Sequence, residues 1–222
     1  MRQIGLFGGT FNPVHSGHVR VIGEVKSGFK LDEILIIPSA IPPHKKSENV
    51  VDAKDRLEMI RLAFLSDPDY VISDVELKRT GPSYTIDTVR YFRSIFPENK
   101  RLYLIMGLDA FLEIDTWKSY KALFLLIPFI VIFRSVAGKD GKTLGWEPLG
   151  QYLRSNISEE YTFSRSTSTY VHDKKQPVFV FDVPPVDISS TAIRERIKKG
   201  IPIKDLVPEN IENFIKAKGL YR

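Results

Sequence analysis

The stretch Gly8-Gly9-Thr10-Phe11-Asn12-Pro13-Val14-His15-Ser16-Gly17-His18 decides how this chain is read. An apolar run at residues 4–7 precedes it and predicts a short first strand. A segment of helical periodicity follows over 17–29, with Val19, Ile22 and Val25-Lys26 near helical spacing. Two glycines let the backbone approach a ligand closely or take angles that other residues resist. Asn12-Pro13 predicts a turn between the glycines and the two histidines. A strand, a glycine loop and a helix N-terminus carrying polar groups together describe a phosphate site. If Ser16-Gly17 begins the helix, His18 stands in its first turn, where the helix dipole favours a bound anion.

Outward from this loop, strands and helices alternate. Residues 34–37, four β-branched or leucine side chains closed by Pro38, predict a strand buried on both faces. A helix is expected over 52–65 with Asp52 as its cap, and a short strand over 70–72. Pro82 and Ser83 suit the start of a helix whose buried stripe is Ile86, Val89, Phe92 and Phe96. Further strands are expected at 101–106, 129–133 and 177–183. Ile188-Ser189-Ser190-Thr191 caps a helix that runs to Lys199 and closes at Gly200, and Pro208 opens the last helix. The alternation implies an α/β fold: a Rossmann-like, open, mostly parallel sheet with helices on both faces. Residues 1–222 read as one domain. Residues 136–176, rich in glycine, serine and threonine, read as an insertion or flap within it. In such sheets ligands bind at the C-terminal ends of strands. Four polar clusters follow apolar strands here: the opening loop, Pro42 to Lys45, Gly107 to Asp109, and Ser189 to Arg194.

Composition narrows the function classes. The 222 residues are 43% hydrophobic and 27% charged, ordinary for a soluble globular protein. The absence of cysteine excludes disulfides and thiolate metal sites and suits a reducing compartment. With no leader recognisable before the first strand, a cytoplasmic protein is expected. The apolar run 122–133 is too short to span a membrane and is broken by Pro128, so it reads as a helix end feeding a buried strand. The net charge of +5 fits an enzyme of polyanionic nucleotides. Arg194, Arg196, Lys198 and Lys199 share a helix with Ile193 and Ile197 rather than forming a nucleic-acid tail, so neither a nucleic-acid nor a membrane partner is expected.

The opening loop is not Gly-x-Gly-x-x-Gly, and the chain has no Gly-Lys-Ser/Thr phosphate loop. Neither a dinucleotide dehydrogenase nor a P-loop NTPase is supported. His15 and His18 can be read as metal ligands or as structural residues, but they lack an obvious third ligand, and polar donors aimed at phosphate fit better.

With these residues in view, a resemblance emerges. The opening loop, with His15-Ser16-Gly17-His18, closely resembles the signature of the HxGH nucleotidyltransferases. Ile188-Ser189-Ser190-Thr191-Ala192-Ile193-Arg194 looks like their second signature, the SSTxxR helix start. Between them, Pro42-Pro43-His44-Lys45, Pro82-Ser83-Tyr84-Thr85-Ile86-Asp87-Thr88, Met106-Gly107-Leu108-Asp109 and Trp117 resemble one branch, the bacterial nicotinate (nicotinamide) mononucleotide adenylyltransferases. The chain departs from the family at Asn12, where Asp is frequent, and at Arg134-Ser135-Val136, where a proline and a glycine usually follow the arginine.

The resemblance implies transfer of the adenylyl group of ATP to nicotinate mononucleotide, giving deamido-NAD and pyrophosphate in NAD biosynthesis. By the same resemblance, His15, His18 and Arg194 are the catalytic residues. Gly8, Gly9, Thr10, Phe11, Ser189, Ser190 and Thr191 bind ATP. Lys45, Thr85, Gly107, Asp109, Trp117 and Arg134 bind the mononucleotide, Trp117 by stacking on the pyridine ring. Blander alternatives stand beside several of these: a core tryptophan for Trp117, a first-turn helix residue for Thr85, a surface lysine for Lys45, a solvated helix face for Arg194, and helix caps for Asp109 and for Ser189 to Thr191. Mg²⁺ is expected to arrive with the ATP phosphates, without a protein metal site. Homo-oligomerisation is left open, as is acid over amide preference.

Overall fold

The computed structural model describes residues 1–40, 50–97, 99–134 and 147–222. Its strands are β1 (Arg2–Gly9), β2 (Glu33–Pro38), β3 (Tyr70–Ile72), β4 (Lys100–Gly107), β5 (Phe129–Arg134), β6 (Thr162–Ser164), β7 (Thr169–Val171) and β8 (Val178–Val183). Its helices are α1 (Ser16–Phe29), α2 (Ala53–Phe64), α3 (Thr85–Ile95), α4 (Leu108–Phe111), α5 (Tyr120–Leu126), α6 (Glu147–Tyr152), α7 (Ser190–Lys198) and α8 (Glu209–Lys218). A 3-10 turn spans Ile114–Thr116 and a π-helical turn spans Leu153–Ile157. The eight-stranded sheet runs β3-β2-β1-β4-β5-β8-β7-β6. The pairs β1–β4, β2–β3, β4–β5 and β5–β8 are parallel, whereas β7 pairs antiparallel with both β8 and β6. The fold is α/β with a mostly parallel sheet. Its first six strands in spatial order, with β8 sixth, follow the doubly wound Rossmann order, which reverses at the β1–β4 pair.

The chain divides into two compact units. One comprises Met1–Phe7 and Tyr84–Pro185. Its core is built on β4 and β5, where Leu104, Ile105, Ile130 and Val131 are buried on both faces as a parallel strand requires. An aromatic cluster covers them. Phe111 meets Phe129 edge-on at 5.6 Å between ring centroids, and Phe124 lies 4.7 Å from Phe129. The apolar run read as a helix end feeding a strand is α5 followed by β5.

The other unit comprises Gly8–Ser83 and Val186–Arg222. Here α1 buries Val21, Ile22 and Val25. Ile34 to Ile37 of β2 are buried, as are Met59, Ile60 and Phe64 of α2 and Ile211 and Ile215 of α8. α8 packs on α2, with Asn210 Nδ2 donating to the Leu62 carbonyl at 2.8 Å. Among the described residues no helix is long and apolar enough to cross a membrane.

Two details differ from the sequence reading. Ser83 does not start α3. The helix begins at Thr85 after Tyr84, which makes no side-chain cap bond, and Ser83 Oγ instead accepts from the Ala40 amide at 2.9 Å. Residues 136–176, read from the sequence as an insertion or flap, carry regular structure from 147 onward. Leu149, Leu153, Tyr161 and Tyr170 are buried, and Tyr161 donates to the Gln176 carbonyl at 2.9 Å. Residues 136–146 lie outside the described residues.

Candidate functional site

The opening loop and the start of α7 are joined by hydrogen bonds. Ser190 Oγ donates to the Pro13 carbonyl at 2.9 Å, and Arg194 Nη1 donates to the Asn12 carbonyl at 2.8 Å. Residues more than 170 positions apart are thus fastened by side chains of the second signature to the backbone of the first. Arg194 also reaches Thr191 Oγ1, through Nη2 at 3.3 Å. Ser189 is the N-cap of α7, its hydroxyl accepting from the Ala192 amide at 3.1 Å, a bond compatible with a further role toward ATP.

The histidines cap α1. His15 is the N-cap residue, extended at φ −146°, and its Nδ1 accepts from the His18 amide at 3.3 Å. His18 Nδ1 accepts in return from the His15 amide at 3.3 Å. This is a reciprocal capping box made by two imidazoles instead of a hydroxyl and a carboxylate. The rings lie 3.7 Å apart at 31°. Two consequences follow. First, a ring nitrogen that accepts a backbone N–H carries no proton. In the neutral form the proton therefore sits on Nε2 of each ring, which makes Nε2 a donor. Second, both rings stand at the positive end of α1, where an anion is favoured.

The loop owes its shape to side chains as much as to glycine. Phe11 holds a positive φ of 49°, and its ring is buried. That ring folds back over Gly9, where a Cβ would come within 2.9 Å of it, so Gly9 is required by this close approach. Phe11 also meets the His18 ring edge-on at 5.3 Å. Asn12 stands at the position where the resemblance leads one to expect Asp. Its Oδ1 accepts from the Val51 amide at 3.2 Å and from the Tyr221 hydroxyl at 3.0 Å. A neutral amide oxygen performs this bracing as a carboxylate would.

Sequence reasoning missed the residue beneath this loop. Arg56, 1% exposed, donates Nη1 to the Thr10 carbonyl at 2.8 Å, Nη2 to the Ala40 carbonyl at 3.2 Å and Nε to the Val51 carbonyl at 3.1 Å. Burial lowers its pKa, against the opposing influence of Tyr221 and Asp52. A signal was available: Arg56 stands three, four and eight positions before Met59, Ile60 and Phe64, on the buried face of α2. Tyr221 was missed as well. Burial raises its pKa, and its hydroxyl is held as the donor to Asn12.

Thr85, Gly107, Asp109, Trp117 and Arg134 belong to the other unit. Gly107 ends β4, and Asp109 lies exposed in the first turn of α4. A Cβ on Gly107 would lie 2.5 Å from Asp109 Oδ1, so the carboxylate folds over that glycine. The N-cap of α4 is Gly107, without a side-chain cap bond, so Asp109 is not the capping residue. Arg134 ends β5, next to β4 in the sheet. Thr85 is the first residue of α3 and is half-buried. Trp117 closes the 3-10 turn, its amide donating to the Ile114 carbonyl at 3.0 Å. It is half-buried and lies outside the buried core. Lys118 joins this turn to α3, with Nζ 3.2 Å from Asp87 Oδ2 and 4.4 Å above the Tyr84 ring. Lys45, with Pro42 to His44, lies outside the described residues.

Among the described residues no three His, Cys, Asp or Glu side chains are grouped as metal ligands. The donor set around the opening loop, with imidazoles, hydroxyls and a guanidinium, suits phosphate oxygens.

Comparison with known proteins agrees with this geometry. The cytidylyltransferase-like family pattern matches residues 6–196. A protein of Desulfatibacillum aliphaticivorans named probable nicotinate-nucleotide adenylyltransferase is 38% identical over 225 residues, covering 99% of each chain. A protein of Clostridium tetani with the same name is 36% identical over 222 residues, covering all of both. Among solved structures, the nicotinic acid mononucleotide adenylyltransferase of Plasmodium falciparum complexed with NaAD superposes with a TM-score of 0.74 at 18% identity, covering 100% of this chain and 98% of that one. At that identity the likeness speaks for the fold alone. The chain belongs to the cytidylyltransferase-like family, in the branch of the nicotinate-nucleotide adenylyltransferases.

Proposed function

We propose that this chain joins the 5′-phosphate of nicotinate mononucleotide to the AMP part of ATP, taken up as its Mg²⁺ complex, and releases pyrophosphate and deamido-NAD in NAD biosynthesis. The observation that carries this reading is the pair of hydrogen bonds from Ser190 and Arg194 to the carbonyls of Pro13 and Asn12, which unites the two nucleotidyltransferase signatures. The names of the full-length relatives supply the substrate class. The Plasmodium enzyme was solved with NaAD, the dinucleotide of this reaction.

The chemistry asks little covalent work of the protein. A phosphate monoester has its second pKa near ~6, so it is already a nucleophile at neutral pH. No serine or cysteine nucleophile is needed. The demand is alignment of two anions in line, with neutralisation of charge on the α-phosphate and the departing pyrophosphate. In this reading His15 and His18 donate from Nε2 to ATP phosphate oxygens, with His18 nearest the transferred group. Arg194 adds charge at the β- and γ-phosphates. Ser190 and Thr191 add polar groups at the start of α7, and Ser189 holds that start in shape. Gly8, Gly9, Thr10 and Phe11 bring backbone against the nucleotide. Trp117 stacks on the pyridine ring, Thr85 faces its carboxylate, Asp109 lies near the ribose, Lys45 meets the mononucleotide phosphate, and Gly107 and Arg134 complete the mononucleotide's binding residues. Residues 1–222 act as a single transferase domain, with 136–176 as its insertion, in a cytoplasmic enzyme.

Purified chain incubated with MgATP and nicotinate mononucleotide is expected to yield dinucleotide and pyrophosphate in equal amounts, with nicotinamide mononucleotide as the slower acceptor. Absence of product with either mononucleotide overturns the reading.

A further inference from the structure

The turn that carries Trp117 is held by a segment outside both signatures. Asp115, in the middle of the 3-10 turn Ile114–Thr116, has each carboxylate oxygen engaged. Tyr152 donates its hydroxyl to Oδ1 at 2.6 Å, and Asn156 donates Nδ2 to Oδ2 at 3.0 Å. The Asp115 amide donates back to the Tyr152 hydroxyl at 3.2 Å. One phenol therefore grips both the backbone and the side chain of one residue. Tyr152 and Asn156 stand four apart at the junction of α6 and the π-helical turn, a spacing that puts both on one face. π turns are rare and recur at functional sites.

The gripping segment is itself anchored. Leu149 and Leu153, on either side of Tyr152, are fully buried, and the Tyr152 ring meets Phe111 edge-on at 6.1 Å. An aspartate in water needs no such bridge, because solvent satisfies it at no cost in side-chain order. Saturating Asp115 from an anchored helix instead fixes the turn. Trp117 follows two residues later in the same turn, its amide bonded to Ile114. From the other side Lys118 ties the turn to Asp87 and Tyr84 at the start of α3. Trp117 is thus flanked at −2 and +1 by bridges to two different elements.

We propose that Asp115, Tyr152 and Asn156 are positioning residues that hold Trp117 ready for the pyridine ring, so that residues 147–157 set recognition of the mononucleotide. This rests on the adenylyltransferase reading in its naming of the ligand; the ordering of Trp117 does not. The Tyr152 and Asn156 hydrogen bonds also hold the Asp115 carboxyl below its usual range, in keeping with a carboxylate that stays charged as an acceptor. Without the bridge, Trp117 must be ordered at the moment of binding, and the loss falls on the mononucleotide.

The test uses the whole chain with Trp146→Phe, which leaves Trp117 as the single tryptophan of the two. Tyr152→Phe removes only the hydroxyl and keeps the ring against Phe111. It is expected to raise KM for nicotinate mononucleotide about five- to ten-fold, the loss of roughly one pre-ordered side chain. KM for ATP should stay within about two-fold, and acrylamide quenching of Trp117 in the ligand-free protein should increase. Asn156→Ala should move the same readouts less, and Asp115→Asn, which keeps an acceptor for the Tyr152 hydroxyl, should stay nearer the parent in both than Asp115→Ala. Equal rises in both KM values, or unchanged quenching in Tyr152→Phe, overturns the proposal. Failure of the parent protein to make dinucleotide sinks the adenylyltransferase reading instead, and the quenching comparison still decides the bridge.

Discussion

At the scale of single residues, the two histidines combine two duties that mutation can separate. His15 provides the side-chain half of the cap that accepts the His18 amide, and His18 accepts the His15 amide. His18→Ala is expected to lower kcat by at least ~10², the usual loss on removing a donor aimed at developing charge, with the fold intact. His15→Ala should lower kcat and also cost about 1 kcal/mol of stability through the lost cap. Steady-state rates beside urea unfolding distinguish them, and near-normal turnover of His18→Ala would refute its role. Arg56 makes the contrasting case, a residue whose expected effect is on stability first. Removing its guanidinium in Arg56→Met leaves a buried site without its charge, takes the donors from the carbonyls of Thr10, Ala40 and Val51 and should cost about 3 kcal/mol. Arg56→Lys, with a point charge in place of a fork, should recover only part of it. An unfolding midpoint unchanged from the parent would show that water replaces all three bonds. Arg56 also shows where reading by motif falls short. It belongs to no motif, and only its phase on α2 betrays that its charge is turned inward.

At the scale of elements, the starts and stops that depend on local chemistry were legible. Asp52 and Ser189 cap α2 and α7 with side-chain bonds to Lys54 and Ala192, as their residue types demand. Glycine at 200 takes the positive φ that closes α7. The start of α3 was misread because Ser83 has a partner elsewhere, at Ala40, which local sequence does not reveal. The elements after 147 escaped for a different reason. β6 and β7 are three residues each, too short for an alternation to register, and α6 passes into a π turn, which breaks the 3.6-residue phase. Asp115, Tyr152 and Asn156 are likewise invisible until those elements are placed. The start of α7 offers a test at this scale. Ser189→Ala should lower Tm by a few degrees, the equivalent of about 1 kcal/mol in a chain of this size, while KM for ATP changes little. Ser190→Ala severs the link to Pro13 and should raise KM for ATP with a smaller loss of Tm. Thermal melts and ATP titrations of the two variants give this crossing pattern if cap and link are separate functions. Parallel losses would show that α7 and the loop act as one body.

At the scale of the whole molecule, the mostly parallel α/β fold came through because buried parallel strands are apolar end to end and alternate with amphipathic helices. The antiparallel strands at the β8 edge carry no such signature. Nor does sequence reveal how many of the nine tyrosines are buried, and this sets the molecule's response to alkali. Burial raises the pKa of Tyr70, Tyr103, Tyr161, Tyr170 and Tyr221. Burial, then the bond to Asp115, pushes Tyr152 up to about 12. Lys26 is raised too, chiefly by its hydrogen bond to Asp69 at 2.6 Å. All seven groups have folded pKa values above their unfolded ones, so the sign is common to them. Below about pH 10 folded and unfolded chains hold these protons alike, and the stability they confer is complete. Above it the unfolded chain releases protons that the folded chain retains, and stability falls with each further rise in pH. Tm is therefore expected to be level from pH 8 to about 9.5 and to drop steeply toward pH 11, with tyrosinate absorbance at 295 nm lagging that of the chain in urea. Tyr221→Phe sharpens the test. It loses the hydrogen bond to Asn12 and so should melt lower at pH 8. It also has one fewer buried phenol to ionise, so its Tm should fall less between pH 9.5 and 11, and the two curves should converge. Parallel curves would mean that Tyr221 ionises in the folded protein as readily as in the unfolded chain, and that its hydroxyl is not held at Asn12.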